Sequence, residues 1–165
     1  MPQQRPHRSR QDYRTPAVFV QAVQWLLGVS HFQHDFAADA RNSKGITHYD
    51  IQTDALKMDR SAWRQAVGAD WGWLNPPFTD IGAWAERCVE LRDDGGSVVL
   101  LVPASIGSNW FRDFVYRHAS IVALNGRISF DGVGPYPKDC MLCLYGPSVQ
   151  RNFHVWNWAG ARSPE

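Results

Sequence analysis

Apolar residues recur at two different periods along this chain, and the switches between them mark out its elements. Phe19, Ala22, Val23, Leu26 and Leu27 fall at i, i+3, i+4, i+7 and i+8, one face of a helix. Thr15 suits its N-cap, Pro16 its first helical position and Gly28 its stop. The same spacing returns at Ile81, Trp84, Ala85, Cys88 and Val89, with Thr79 or Asp80 as the cap and "DDGG" (93–96) as the end. Shorter helices are predicted over "SAWRQAVG" (61–68) and "NWFRDFVYRHA" (109–119). Between the helices lie short runs of strand character: "HFQHDFAAD" (31–39), "ITHYDI" (46–51) and "WGWLN" (71–75). "SVVLLVPAS" (97–105) is a continuous apolar run, the mark of a parallel strand buried on both faces. "IVALNGRISF" (121–130) and "CMLCLYG" (140–146) complete the set. Helices alternating with strands predict an α/β fold, a mostly parallel sheet with helices on both faces in a single domain. Residues 1–11 lack periodicity and read as a flexible basic arm, 12–158 as the folded domain and 159–165 as a C-terminal tail.

Composition narrows the class. A length of 165 residues favours one domain. No apolar run reaches the roughly 18 residues of a membrane span. The opening residues are polar and Arg-rich, without the apolar stretch of a secretory signal, and the three cysteines form no disulfide framework. Both features predict a reducing, cytoplasmic setting. A net charge of +1 excludes a strongly basic nucleic-acid glove, although Arg5, Arg8, Arg10 and Arg14 face only Asp12 in the opening segment. Most of the eight tryptophans are expected in the core, with some stacking on flat ligands. Cys140 and Cys143, like His31 and His34, stand at i and i+3 in predicted strands and so point to opposite faces. No metal site is predicted.

Ligands of an open parallel sheet bind at the carboxyl ends of its strands. Three polar clusters stand at such ends: Asp35-Phe36-Ala37-Ala38, Asp54-Ala55-Leu56 and Asn75-Pro76-Pro77-Phe78. Two prolines can neither continue a helix nor sit inside a sheet, so the third strand must stop on an amide followed by a ring.

"NPPF" matches the [DNS]-P-P-[YFW] motif of amino-methyltransferases, which modify exocyclic amines of nucleobases using S-adenosylmethionine. More closely, the chain resembles the small Dam-like N6-adenine DNA methyltransferase family common in phages, over roughly residues 12 to 146. The matching blocks are "RTP" before an amphipathic helix, "DFAAD" with Asn42 and Lys44 after it, "DAL", "WLNPPFTDIGAW", "VVLLVPAS" with "NWF", and "GRISF", in the family's order. The resemblance implies a Rossmann-like methyltransferase fold, S-adenosylmethionine as cofactor, double-stranded DNA as partner and adenine N6 as target. N4-cytosine methylation, an RNA substrate and a non-catalytic nucleic-acid-binding relative are the alternatives.

The chemistry of the motif follows from its residues. An exocyclic amine is a poor nucleophile because its lone pair is delocalised into the ring. The Asn75 side-chain oxygen and the Pro76 carbonyl can accept its two hydrogens and localise that pair. Pro76 and Pro77 fix the turn, so the acceptors are pre-positioned. Phe78, in place of the commoner Tyr, can stack on a base that has left the double helix. The other reading of these residues is a plain strand-to-helix turn with a buried Phe.

By the same resemblance, Asp35 lies near the positively charged methionine end of the cofactor; a helix N-cap is its other reading. Ala37 and Ala38 stand where many methyltransferases carry a glycine-rich loop, and no G-x-G-x-x-G exists here. Thr15 and Pro16 match the "TP" that contacts the cofactor carboxylate, a role that fits the N–H groups of a helix start. Asp54, with Leu56 beside it, matches the acid that binds the cofactor adenine, or is a solvated loop acid. Arg127 in "GRISF", Tyr136 and Lys138 in "DGVGPYPKD" (131–139), and Arg8 and Arg10 in the arm are candidate DNA contacts or plain surface residues. Little of the chain is left over to read base edges, so a short or relaxed recognition sequence is expected.

Overall fold

A computed structural model describes residues 14–38, 42–50, 52–130 and 134–160. Among these, the chain runs through helix α1 (Ala17–Leu27), strands β1 (Phe32–Asp35) and β2 (Gly45–His48), a single 3-10 turn (Ala55–Lys57), α2 (Arg60–Val67) and β3 (Trp71–Leu74). It continues through α3 (Ile81–Asp93), β4 (Ser97–Pro103), α4 (Asn109–Phe114), β5 (Ser120–Leu124), β6 (Ser129–Phe130), β7 (Gly134–Pro135), β8 (Cys140–Tyr145) and β9 (Phe153–Trp156). Seven strands form one sheet in the order β2-β1-β3-β4-β8-β5-β9, while β6 and β7 make a separate antiparallel pair. β8 runs antiparallel to β4 and β5; the other neighbours in the large sheet are parallel.

Alternation of side chains sorts the core onto two faces. On one, Trp73, Val99, Leu101 and Val122 meet Phe19, Val20 and Val23 of α1. On the other, Leu74, Val98, Leu100 and Val102 meet Trp63 of α2 and Trp84, Ala85, Cys88 and Leu91 of α3. β4 is buried on both faces, as its unbroken apolar run predicts. Each such fully buried side chain contributes about 1.5–3 kcal/mol through lost contact with water. No helix of the described residues is long and apolar enough to cross a membrane.

Local chemistry sets the element ends. Gly28 closes α1 in the left-handed region at φ 69°, with its N–H directed to carbonyls of the last turn. The N-cap of α1 is Pro16, in an extended conformation, and not Thr15. Leu26, expected on the apolar stripe, is 41% exposed, and the buried stripe is built from Phe19, Val20, Ala22 and Val23. Asp80 sits at the N-cap of α3 without a capping side-chain bond. The helix predicted to reach residue 119 stops at Phe114, because the chain must turn back into β5 and does so with Arg117 at φ 65°. The stretch 121–130 divides at Asn125-Gly126 into β5 and β6. β7 and β9 were not expected from the sequence.

From β1 the chain passes to β2 on one side and then, through α2, to β3 on the other. Such a switch in strand order leaves a crevice at the carboxyl ends of the two central strands, here β1 and β3.

Candidate active site

Asp35 ends β1, and Asn75 follows the last residue of β3. The two tips are joined directly, since the Phe36 N–H donates to the Trp73 carbonyl at 3.0 Å. Asp35 is only 3% exposed. Its carboxylate accepts from the Ala37 N–H at 3.1 Å and the Lys44 N–H at 2.9 Å. No helix begins at this point, so Asp35 caps none; it ties the turn after β1 to the segment entering β2. Burial pushes its carboxyl up to about 6, against the pull of those two N–H groups, Lys44 and His48. Ala37 and Ala38 are half-buried beside it, and the Ala38 N–H donates to the Tyr49 carbonyl at 3.0 Å.

The Asn75 Nδ2 donates to the Thr15 hydroxyl at 3.1 Å. Thr15 is buried, and its side chain serves Asn75 instead of the helix. The bond fixes the amide with its carbonyl oxygen directed away from Thr15. Pro76 is buried, and Pro77 and Phe78 are half-buried. The Phe78 ring meets Tyr136 edge-on at 5.7 Å, and Tyr136 meets Phe130 in the same way at 5.7 Å. Tyr136 is 8% exposed, so the residue expected as a DNA contact lies in the core as a backing for Phe78.

Asp54 precedes the 3-10 turn at φ 48°, a left-handed conformation uncommon outside glycine. Its side chain pairs with Lys57 at 3.5 Å in an exposed position. Leu56 is half-buried against the α2–α3 core. Both follow β2, whose carboxyl end shares the sheet edge of β1 and β3. Arg127 is exposed and pairs with Asp139 at 3.5 Å; Lys138 is exposed beside it. Asp139 stands at the same sheet edge, where its carbonyl accepts from the Ala104 N–H at the end of β4. Arg8, Arg10, the rest of the 1–11 arm, most of the C-terminal tail and residues 131–133 of the 131–139 loop lie outside the described residues.

The structure thus joins Thr15 to Asn75 and sets Asp35, Ala37 and Ala38 at the neighbouring strand tip, with Asp54 and Leu56 following β2 at the same sheet edge. Two features escaped the sequence reading. An open cleft of about 400 Å³ starts at Phe78 and runs between the starts of α3 and α4, lined by Asp80, Gly82, Asn109 and Trp110 among others. The second is a buried contact column at Trp63 that reaches the turns after both β1 and β2. Strand-tip patterns show neither as a whole, because each is completed by helix residues, Gly82, Asn109 and Trp110 in the cleft and Trp63 in the column. Among the described residues no group of three or more His, Cys, Asp or Glu could hold a metal ion.

A family model described as DNA N-6-adenine-methyltransferase (Dam) matches residues 3–140. A DNA N-6-adenine-methyltransferase of Escherichia phage T1 is 23% identical over 131 residues, which is 76% of this chain and 50% of that protein. The chain therefore spans about half the length of that relative.

Proposed function

The chain belongs to the Dam family of DNA N-6-adenine-methyltransferases, and we propose that it transfers a methyl group from S-adenosylmethionine to the N6 amine of adenine in double-stranded DNA. The observation that carries this reading is the Thr15–Asn75 hydrogen bond, which orients the amide of "NPPF" at the tip of β3. We also read the parallel sheet with one reversed strand as a Rossmann-like methyltransferase fold.

The crevice suits the proposed cofactor. A buried carboxylate whose ionisation is held back by burial, Asp35, favours a cationic group beside it. Small side chains at Ala37 and Ala38 let a ligand approach the backbone, and the first N–H groups of α1 suit a carboxylate. Leu56 and Asp54 would contact an adenine on the β2 side. When bound, S-adenosylmethionine supplies the electrophilic methyl group.

The chain's own residues do the rest. Phe78 stacks on the flipped-out adenine, and Tyr136 and Phe130 behind it keep the ring in place. The Asn75 Oδ1 and the Pro76 carbonyl accept the two amine hydrogens and localise the nitrogen lone pair. The amine gains a methyl group and loses one proton, which leaves toward these acceptors and then to water. Arg127 and Lys138, exposed at the same edge, would meet DNA phosphates.

The test is incorporation of labelled methyl groups from S-adenosylmethionine into unmethylated plasmid DNA, followed by nucleoside identification. Label in N6-methyldeoxyadenosine supports the reading. Label in N4-methyldeoxycytidine, or no label in DNA while a parallel RNA substrate is labelled, or no label at all, would overturn it.

A further inference from the structure

We propose that Trp63 and Arg87 are positioning residues that set the two walls of the cofactor crevice as one unit, an inference that rests on the cofactor reading above. Trp63 is fully buried on α2. Its ring lies flat on Phe36, with centroids 4.0 Å apart and planes 13° from parallel. Its indole Nε1–H donates to the Ala55 carbonyl at 2.8 Å. One side chain therefore grips the turn after β1, through Phe36, and the turn after β2, through Ala55.

Arg87, on α3, completes the column. Its guanidinium carbon lies 5.1 Å from the Trp63 ring centroid. One terminal nitrogen pairs with Glu90 at 2.8 Å, and the other donates to the Met58 carbonyl. The side chain is only 15% exposed, and its Nε is buried without a partner. Burying a charge with an unsatisfied donor is a poor choice for packing alone, since an apolar side chain fills the same space at lower cost. What Arg87 gains here is a bond to Met58, at the far end of the Ala55–Lys57 turn. Ala55 is thus held by Trp63, Met58 by Arg87, and Phe36 by the face of Trp63. α3 begins just after the NPPF motif, so the same helix spaces both crevice walls from the amine-binding tip.

The role predicts a particular kinetic signature. Loosening the column disturbs the walls that hold the cofactor and leaves Asn75, Pro76 and Phe78 in place. Arg87→Met removes the Met58 bond at similar length, and Trp63→Phe keeps an aromatic ring while losing the bond to Ala55. Both should raise the dissociation constant for S-adenosylmethionine about tenfold, with kcat at saturating cofactor within about threefold of wild type. Arg87→Lys, which retains a donor, should recover part of the affinity. Calorimetric titration of the purified chain with S-adenosylmethionine, alongside steady-state methylation, gives both quantities. As a measurement independent of the variants, amide exchange in the wild type should slow together at Ala38 and at Lys57–Met58 when the cofactor is added. If the wild type binds S-adenosylmethionine but both variants bind it equally well, or kcat falls in step with affinity, the positioning role is overturned alone. Independent exchange at the two turns has the same meaning. If the wild type does not bind S-adenosylmethionine, the cofactor reading and this inference fail together.

Discussion

Binding of a cationic cofactor should expel a proton from Asp35. Burial holds the Asp35 carboxyl at about 6 in the folded chain, against 3.8 when exposed. That difference corresponds to about 3 kcal/mol between its charged and neutral forms. Because the folded value is raised, this stabilisation is complete below pH 3.8 and is lost as pH rises through 6. At pH 8 the free protein therefore carries a carboxylate in a site that resists its charge. A positive group placed in the crevice removes that resistance and favours the ionised form. Binding at pH 6 should then release about half a proton. At pH 5 only about one-tenth of Asp35 is ionised beforehand, so affinity should be about tenfold weaker than at pH 8. Lys44 and His48, which already draw the carboxyl down, are the neighbouring groups whose contribution must be separated. The assay is calorimetric titration with S-adenosylmethionine in pairs of buffers that differ in protonation enthalpy, with Asp35→Asn as control. The variant should bind more weakly and show a flat profile. Equal wild-type affinity from pH 5 to 8 without proton release would refute the placement of Asp35 beside the cofactor's positive charge.

Three further outcomes follow from the contacts. A Cβ at Gly72 would stand 2.7 Å from the Phe36 ring and 2.9 Å from a Val67 methyl, so Gly72→Ala should cost about 1–3 kcal/mol in urea unfolding. Thr15→Val keeps the shape but removes the oxygen that orients Asn75; it should lower kcat about tenfold or more with the melting temperature little changed, and Thr15→Ser should restore the rate. His34 is held at about 4 by burial and by His48, so its contribution to stability is lost as pH falls from 6.5 to 4, while Asp35 acts in the opposite sense over nearly the same range. Relative to wild type, His34→Gln should therefore gain about 2 kcal/mol between pH 7 and pH 4.5, read by urea midpoints at the two values.

Local periodicity carried most of the fold. α1, α3 and β4 announce themselves through apolar spacing over ten or so residues, and the two prolines after Asn75 fix where β3 must stop. What stayed hidden depends on residues far apart in the chain. Thr15 reads as a helix cap because a hydroxyl before a proline usually is one; only the fold brings Asn75, 60 residues away, to its side chain. Tyr136 stands between two prolines in a glycine-rich stretch and reads as a surface loop, yet the β6–β7 pairing and its N–H bond to the Ile128 carbonyl tuck its ring behind Phe78. Asp35 was legible as a carboxylate at the end of β1, but not its bonds to Ala37 and Lys44, since the second partner lies nine residues on with no periodic pattern between them. Trp63 and Arg87 belong to helices whose pattern says only which face is buried, not which carbonyls they reach.

The most direct test of the central claim is single-turnover methyl transfer to unmethylated DNA by wild type and Asn75→Ala, with S-adenosylmethionine affinity measured on the same preparations. The account predicts N6-methyladenine as the wild-type product, a rate about 100-fold or more lower in the variant, and cofactor affinity within a few-fold of wild type. An Asn75→Ala protein that still methylates adenine at a comparable rate, or a wild-type product that is N4-methylcytosine, would contradict it.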